Sequence, residues 1–392
     1  MKRKAQEQLE EIHKRIIAVE SINDSFLKGK LSLIFYLYHQ FQLTHTTNTK
    51  THALQLLKEV VEGLEGAHPR LYGASFAHGG AGMAYTLNYL QERKFISFQV
   101  KRELAILDKY LLDMAVTQIE EGGIDFLQGG LGILHYFSQR TPEDTVTNYQ
   151  DILVEKLYQQ AEKQHEGWWW TNSYSYIKTN ERQYIDFGLS HGQSGILLVL
   201  LNLLGRSSKN CMIEEMVTQG IRFIKKHKID IDAINEDYSF FPLIIKRNTN
   251  EFSAPNRLAW CYGDLNQVLV FSRAGKLLHD KPLTELAYLI GLHTLMRKDI
   301  NSTLIKDAGF CHGSAGVAQS YKNLFEATGN LHFQEGYHYW IGQTIEMLDR
   351  DLGAGHYEGK EHDLLEGLVG VAFTLMSFVS AQRLDWSAAL LL

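Results

Sequence analysis

The chain of 392 residues has only five prolines and three cysteines. An odd number of cysteines without a regular spacing argues against the disulfide framework of a small secreted domain. The N-terminal residues are charged and polar, and they lack the apolar core of a signal peptide. We therefore expect a cytoplasmic protein whose thiols stay reduced and available to bind a metal ion.

Long apolar runs and an excess of positive charge are also missing. The longest apolar run, residues 196–204, includes Asn202 and is too short to span a bilayer. The net charge of -6 argues against a nucleic acid as the main partner, because neutralising phosphates requires a basic face. The composition predicts a globular protein with no membrane span and no nucleic-acid partner.

The scarcity of proline and the many segments of helical period predict an all-α protein. The 32 glycines need a positional reason, because glycine weakens helix interiors. That reason is a repeat: a glycine, a small residue three positions later and then an apolar run. Its spacings of 50, 50, 63, 71, 50 and 54 residues predict a repeat architecture with insertions. The seven copies begin at Gly29, Gly79, Gly129, Gly192, Gly263, Gly313 and Gly367.

The repeats alternate between two kinds of helix. The runs that follow the glycines are apolar on nearly every side, which is typical of buried helices. The amphipathic segments between them predict outer helices. Seven such pairs can close into a double ring, an α/α toroid, or form an open superhelix. The segments that predict outer helices include residues 2–20, 51–64, 98–116, 213–228, 283–297 and 333–352.

The repeat glycines have two readings. Small residues let neighbouring backbones pack closely, and they also leave the first-turn N–H groups of each inner helix uncovered. If all inner helices run the same way, their positive ends meet at one mouth and favour anions there.

Two irregular segments interrupt the helical rhythm. Residues 165–186 hold three consecutive tryptophans and several tyrosines, which either line a peptide groove or pack over the helices. Residues 228–257 include Ser239–Ile245, which reads equally as a short strand or a loop. Since no flexible linker separates a second domain, we expect one domain over residues 1–392 with insertions near 165–186 and 228–257.

Two of the repeats carry a thiol two residues before their glycine. Cys261 precedes Gly263, and Cys311 and His312 precede Gly313. Two thiols and an imidazole have the chemistry of a zinc site with three protein ligands, and an open fourth position is the catalytic pattern. The alternative is that both cysteines are small buried hydrophobic residues. Cys211 lacks such neighbours and reads as structural.

The joint occurrence of three motifs identifies a family resemblance. They are Gly-Leu-Ser-His-Gly-x-x-Gly at 188–195, Trp-Cys-Tyr-Gly at 260–263 and Cys-His-Gly-x-Ala-Gly at 311–316. With them the whole chain resembles the lanthionine synthetase C-like proteins, and specifically the stand-alone cyclases of class I lanthipeptide biosynthesis. The resemblance implies an α/α toroid of seven inner and seven outer helices. It also implies one zinc ion on Cys261, Cys311 and His312, with a water or a substrate thiol in the fourth position.

The resemblance also implies four catalytic residues: His191, Asp125, Arg257 and Tyr262. Three of them have a simpler reading from the residues alone. His191 reads as a core histidine, Asp125 as a helix cap and Arg257 as the partner of a structural carboxylate. His78, in a similar His-Gly step, reads as a rim histidine. The chain departs from the pattern at Asn266, where the second small residue of the fifth repeat is usually glycine.

The implied reaction is the addition of a cysteine thiol to a dehydroalanine or dehydrobutyrine of the same dehydrated precursor peptide. Its product is a thioether ring. The chain lacks a dehydratase region, so a separate dehydratase is an expected partner, together with an exporter and contact with a membrane through such a complex. Two alternatives stay open: an enzyme that adds glutathione to dehydroamino acids, and a non-catalytic toroid in which zinc stabilises a peptide-binding scaffold. A terpene cyclase is disfavoured because the chain has no Asp-Asp-x-x-Asp cluster.

Overall fold

The computed structural model describes residues 1–21, 23–64, 70–173, 184–232, 234–247, 249 and 251–392. Within these residues the chain forms fifteen α-helices and five short strands. Seven helices each follow one of the repeat glycines, as predicted. These inner helices are α2 (Lys30–Thr44), α4 (Gly80–Glu92), α6 (Gly130–Ser138), α8 (Gln193–Leu203), α10 (Asp264–Leu277), α13 (Ser314–Thr328) and α15 (Leu368–Val379).

The outer helices alternate with the inner ones along the chain. Those that the sequence predicts begin and end within four residues of the expected positions. A short helix, α12 (Ile300–Thr303), and a 3-10 helix, Trp386–Leu390, complete the helical part of the described residues. The outer helices are α1 (Lys2–Ala18), α3 (Thr47–Leu64), α5 (Lys101–Glu120), α7 (Asp144–Gln160), α9 (Asn210–Lys226), α11 (Lys281–Met296) and α14 (Leu331–Gly353).

Helix α7 is the outer helix that the sequence does not mark. A glutamine, Gln150, stands in the middle of its buried face and interrupts the apolar pattern. The side chain of Gln150 is satisfied there, because its Nε2 donates to the carbonyl of Phe137 at 2.7 Å. Gln150 can be buried only because of this tertiary hydrogen bond, and the local sequence therefore does not show the apolar face that identifies the other outer helices.

Burial follows the two sequence patterns. In α8 ten of eleven residues are buried, as expected for a helix that is apolar on every side. In α9 the buried residues recur every three to four positions, from Ile213 through Met216, Val217 and Ile221 to Ile224. The inner helices thus form the core, and each outer helix buries one face.

Six inner helices have a repeat glycine at the N-cap position, and none of the six has a side-chain cap. Their first-turn N–H groups are consequently left to backbone partners or to a ligand. Gly263, the N-cap of α10, has φ of 106°, a conformation that other residues rarely adopt. Cys261 stands two residues before this turn.

The irregular segments contain the short strands. β1 (Glu162–Gln164) pairs antiparallel with β2 (Gly167–Trp169), and β3 (Tyr184–Asp186) joins β4 (Ile244–Lys246) and β5 (Phe252–Ser253) in a second antiparallel sheet. Of Ser239–Ile245, therefore, only the last two residues are in a strand.

The consecutive tryptophans pack against helices. Trp170 is buried and donates its Nε1–H to the carbonyl of Leu157 at 2.8 Å. The ring of Trp169 packs on Phe223, with ring centroids 4.9 Å apart. Packing over helices is therefore the reading that the described tryptophans support. Residues 174–183, with two of the three tyrosines of this segment, lie outside the described residues.

The chain divides into two compact units. The first comprises residues 1–109, 306–322 and 335–392, and its core includes edge-to-face contacts among Phe26, Phe35 and Phe76. The second comprises residues 110–305 and 323–334. No helix among the described residues is long and apolar enough to cross a membrane. The single domain expected from the sequence stays a prediction.

Candidate metal centre and active site

The three predicted metal ligands lie together. The Sγ atoms of Cys261 and Cys311 and a ring nitrogen of His312 are all within 4.8 Å of one another. The Sγ atom of Cys311 is 3.8 Å from Nε2 of His312. Both thiols are buried, whereas His312 is exposed. No fourth His, Cys, Asp or Glu among the described residues brings a ligand atom within the same distance.

This arrangement fits a zinc ion. Zinc bound tetrahedrally, with Zn–S of about 2.3 Å and Zn–N of about 2.0–2.1 Å, holds its ligand atoms about 3.5–3.8 Å apart. The 3.8 Å from Cys311 to His312 agrees with that spacing. Two soft thiolates and one imidazole are also the donor set that zinc prefers. The residues present can therefore hold zinc with three protein ligands.

Backbone hydrogen bonds hold both cysteine-bearing loops against neighbouring repeat loops. The carbonyl of Cys261 accepts the N–H of Leu189 at 2.8 Å. The N–H of Cys311 donates to the carbonyl of Leu365 at 2.7 Å. Leu189 and Leu365 lie in the loops that precede α8 and α15. Each thiol is thus positioned by the loop before another inner helix as well as by its own.

Asp125 and His191 form a buried pair. Nδ1 of His191 lies 2.7 Å from Oδ2 of Asp125, across 66 residues of sequence. Asp125 has no exposed surface, and His191 is 8% exposed. The other oxygen of Asp125, Oδ1, accepts the N–H groups of Leu127 and Gln128, both at 2.8 Å. Asp125 therefore closes the turn before α6 and orients His191 at the same time, while the N-cap of α6 itself is Gly129. Its catalytic role stays a prediction.

The surroundings of His191 favour its protonated form. Burial alone would lower the pKa of the imidazole, but the hydrogen bond that His191 donates to Asp125 and the charges of Asp125, Asp186 and Cys261 outweigh it. The pKa of His191 is raised above the ordinary value as a result. A histidine in this setting suits donation of a proton near neutral pH.

Asn172 completes this pair and is missed by the sequence analysis. Its Nδ2 donates to Oδ2 of Asp125 at 2.8 Å and to the carbonyl of His191 at 3.0 Å. The side chain therefore fixes both members of the pair. Asn172 lies in the irregular segment after β2, without a repeat motif around it. Only the three-dimensional contact identifies it.

Tyr262 and Asp186 form a second polar pair in the same compact unit. The hydroxyl of Tyr262 donates to Oδ2 of Asp186 at 2.5 Å, while Oδ1 of Asp186 accepts the N–H of Gly188 at 2.7 Å. Burial raises the pKa of Asp186 to about 6, and the hydrogen bond from Tyr262 and the charge of His191 limit the rise. Burial and the neighbouring carboxylate of Asp186 together raise the pKa of Tyr262, so its phenol stays protonated.

Arg257 lies six residues before the N-cap of α10 and is half-buried. The sequence left open whether its guanidinium pairs with a structural carboxylate. Among the residues that the structure describes, no carboxylate lies within ion-pair distance of it, and the neighbouring buried pair is instead Arg297 with Asp264 at 2.8 Å. The reading of Arg257 as the partner of a structural carboxylate therefore finds no support among the described residues, and its catalytic role stays a prediction.

Asn266, the departure from the repeat pattern, links two site loops. Its Oδ1 accepts the N–H of Leu189 at 3.1 Å, and its Nδ2 donates to the carbonyl of Trp260 at 2.8 Å. The side chain has no exposed surface. It thus ties the loop that carries His191 to the loop that carries Cys261. A glycine at this position would provide neither bond.

Replacing Asn266 should loosen this link. We expect Asn266→Ala to lower the free energy of unfolding by about 1–3 kcal/mol, because the buried carbonyl of Trp260 loses its donor. Urea unfolding followed by circular dichroism measures the change. Asn266→Gly restores the residue found in most other repeats and should be at least as destabilising. A glycine variant as stable as the unmodified protein would show that the side chain contributes nothing.

Two other sequence-based readings are resolved by position. His78 is half-buried at the start of α4, and burial followed by the charge of Lys28 lowers its pKa. His78 belongs to the first compact unit. Cys211 is exposed in the first turn of α9, so the reading of it as a structural residue is wrong. An amphipathic helix start has no local feature that separates a buried from an exposed cysteine.

Comparisons with known proteins agree with this geometry. The family model described as "Lanthionine synthetase C-like protein" matches residues 20–391. No curated protein matches the sequence. Among solved structures, one described as "Nisin cyclase" has a TM-score of 0.77 and 18% sequence identity, and covers 100% of this chain and 97% of that chain. The structural likeness confirms the predicted α/α-toroid fold.

Proposed function

Since the chain belongs to the lanthionine synthetase C-like family, we propose that it is a zinc-dependent lanthipeptide cyclase. The reaction joins a cysteine thiol of a dehydrated precursor peptide to a dehydroalanine or dehydrobutyrine of the same peptide. The sulfur–carbon bond forms at the β carbon, the double bond opens toward the carbonyl, and a proton is added at the α carbon. The product is a lanthionine or methyllanthionine ring with the same mass as the reactant.

The single observation that carries the proposal is the cluster of two buried thiols and one imidazole within 4.8 Å. Cys261, Cys311 and His312 would hold zinc and leave its fourth position for a ligand. When bound, zinc supplies the Lewis acidity that keeps a coordinated thiol deprotonated. A cluster with only three protein ligands favours a catalytic over a purely structural metal site.

His191 is the proposed general acid. Asp125 accepts a hydrogen bond from Nδ1, so the proton delivered to the α carbon would be the one on Nε2. The raised pKa of His191 keeps the imidazolium populated closer to neutral pH than an ordinary histidine. Asp125 orients the ring and stabilises its charged form, and Asn172 holds both in place.

Arg257 would stabilise negative charge on the substrate carbonyl. Opening of the double bond places that charge on the carbonyl oxygen, and an adjacent cation or N–H donor lowers its energy. The half-buried guanidinium of Arg257 is suited to this task. Tyr262, directly after a metal ligand, would contact the peptide near the reacting thiol.

A model peptide tests the proposal. The peptide carries one dehydroalanine and, a few residues later, one cysteine. We expect the protein to convert the free thiol into a thioether without changing the mass of the peptide, at a rate well above that of the spontaneous reaction. N-ethylmaleimide labelling followed by mass spectrometry counts the free thiols that remain, and fragmentation locates the thioether ring.

Glutathione in a parallel reaction separates the two enzymatic alternatives. A gain of the mass of glutathione, with the peptide cysteine still labelled, would assign the protein to intermolecular addition instead. Binding of the peptide without any change in thiol count or mass would favour the non-catalytic scaffold. The proposed partners, a separate dehydratase and an exporter, follow from the need to supply a dehydrated peptide and remove the product.

A further inference from the structure

Asp186 uses its two carboxylate oxygens for two different contacts. Oδ1 accepts the N–H of Gly188, and Oδ2 accepts the hydroxyl hydrogen of Tyr262. The first contact closes a turn, while the second fixes a side chain of the proposed active site. The two contacts can be separated because other repeats contain the first one as well.

The turn recurs six residues before other repeat glycines. In the first repeat Oδ1 of Asn23 accepts the N–H of Ser25 at 3.0 Å, and in the sixth Oδ1 of Asp307 accepts the N–H of Gly309 at 2.8 Å. An asparagine amide therefore suffices for this turn. The turn does not require the negative charge of Asp186. We therefore look for the role of the carboxylate in the contact that its second oxygen, Oδ2, makes.

Oδ2 of Asp186 fixes the hydroxyl group of Tyr262, and the backbone of Gly188 packs against the face of its ring. A Cβ atom at Gly188 would lie 2.6 Å from Cε1 of Tyr262, so the ring lies directly on the glycine backbone. Asp186 itself is fixed at the end of β3, where it pairs with Ile244 of β4. Tyr262 is thus held at the ring and at the hydroxyl, one residue after Cys261.

We propose that Asp186 is a positioning residue that accepts the hydroxyl hydrogen of Tyr262 and so keeps this hydrogen from the substrate. This inference rests on the proposed function. A tyrosine hydroxyl has one hydrogen and two lone pairs. With the hydrogen donated to Asp186, the oxygen of Tyr262 presents only lone pairs to the substrate. It therefore accepts a hydrogen bond from a peptide N–H and holds the peptide backbone next to the thiol that reacts.

A double-mutant cycle tests this assignment. Asp186→Asn keeps the turn, as Asn23 does, but turns a donor toward the tyrosine oxygen. We expect Asp186→Asn and Tyr262→Phe each to lower kcat for cyclisation by about 10- to 100-fold, the range known for residues that orient a site. The double variant should be no slower than Tyr262→Phe, because phenylalanine has no hydroxyl to position. Multiplying effects would overturn the proposal.

Asp307→Asn is the matched control, because it makes the same change at the same turn position of another repeat. Its kcat should stay within about twofold of the unmodified protein, since an amide serves this turn equally well. A loss equal to that of Asp186→Asn would assign the effect to the turn and overturn the role of Tyr262.

Urea unfolding of the four proteins of the double-mutant cycle separates this inference from the proposed function. These are the unmodified protein, the two single variants and the double variant. The shifts of the unfolding midpoint for Asp186→Asn and Tyr262→Phe should be non-additive, because both variants remove one hydrogen bond. Additive shifts would overturn the positioning contact even if the protein cyclises peptides. If the shifts are non-additive but the protein shows no cyclisation activity, the contact between Asp186 and Tyr262 is supported and the proposed function is rejected.

Discussion

Cys311→Ala is expected to abolish zinc binding and to slow cyclisation by at least about 30-fold. A free cysteine thiol, with a pKa of about 8.5, is only about 3% ionised at pH 7, and the thiolate is the nucleophile. Without the third ligand the substrate thiol loses the environment that keeps it deprotonated. Zinc content by atomic absorption and thiol counting by N-ethylmaleimide labelling measure the two effects on the same sample.

Cys211→Ala is the matched control for this experiment. It removes the exposed thiol at the start of α9, outside the cluster, so zinc content and rate should both stay unchanged. The melting temperature distinguishes the remaining possibilities. A Cys311→Ala protein that stays folded but has lost its activity supports a catalytic zinc. A large fall in the melting temperature that accompanies the loss of activity supports a zinc-stabilised scaffold. Full cyclisation by a zinc-free protein would contradict the proposed mechanism.

His191→Asn is expected to lower kcat by about 10²- to 10⁴-fold, the usual contribution of a positioned general acid. The asparagine amide can still donate to Oδ2 of Asp125, so the buried carboxylate keeps a partner and the fold is preserved. The variant cannot carry the proton that the α carbon requires. Steady-state cyclisation kinetics at several peptide concentrations separate this loss of kcat from a loss of peptide binding.

The equivalent histidine of the second repeat provides the control. His78 stands directly before Gly79, as His191 stands before Gly192. In the described part of the chain no carboxylate lies within hydrogen-bond distance of its ring, and burial lowers its pKa. His78→Asn should leave kcat within about twofold of the unmodified protein. Equal losses in both variants would assign the effect to the repeat turn and contradict the role of His191 as the acid.

Much of the candidate site could be predicted from short motifs. Cys261, Cys311 and His312 stand beside repeat glycines, and such motifs are recognisable one at a time. The structure confirms that the three side chains form one cluster, although the chain separates Cys261 from Cys311 by 50 residues. The catalytic roles of His191, Asp125, Arg257 and Tyr262 stay predictions, and the variants above test those of His191 and Tyr262.

The contacts that refine this site could not be predicted in the same way. Asn172 reaches Asp125 across 47 residues, and Tyr262 reaches Asp186 across 76. The local sequences around Asn172 and Asp186 do not distinguish them from ordinary turn residues, so the partners of Asp125 and Tyr262 carried no signal of their own. Asn266 even appears as a defect of the repeat, although its side chain joins two loops.

By itself, the sequence determined the helices, their alternation and the repeat turns, because hydrophobic period and glycine position act over a few neighbouring residues. Only the tertiary structure decided which side chains meet at those turns. Hydrogen bonds between distant loops depend on how the repeat turns pack together, and that packing has no counterpart in the spacing of residues along one chain.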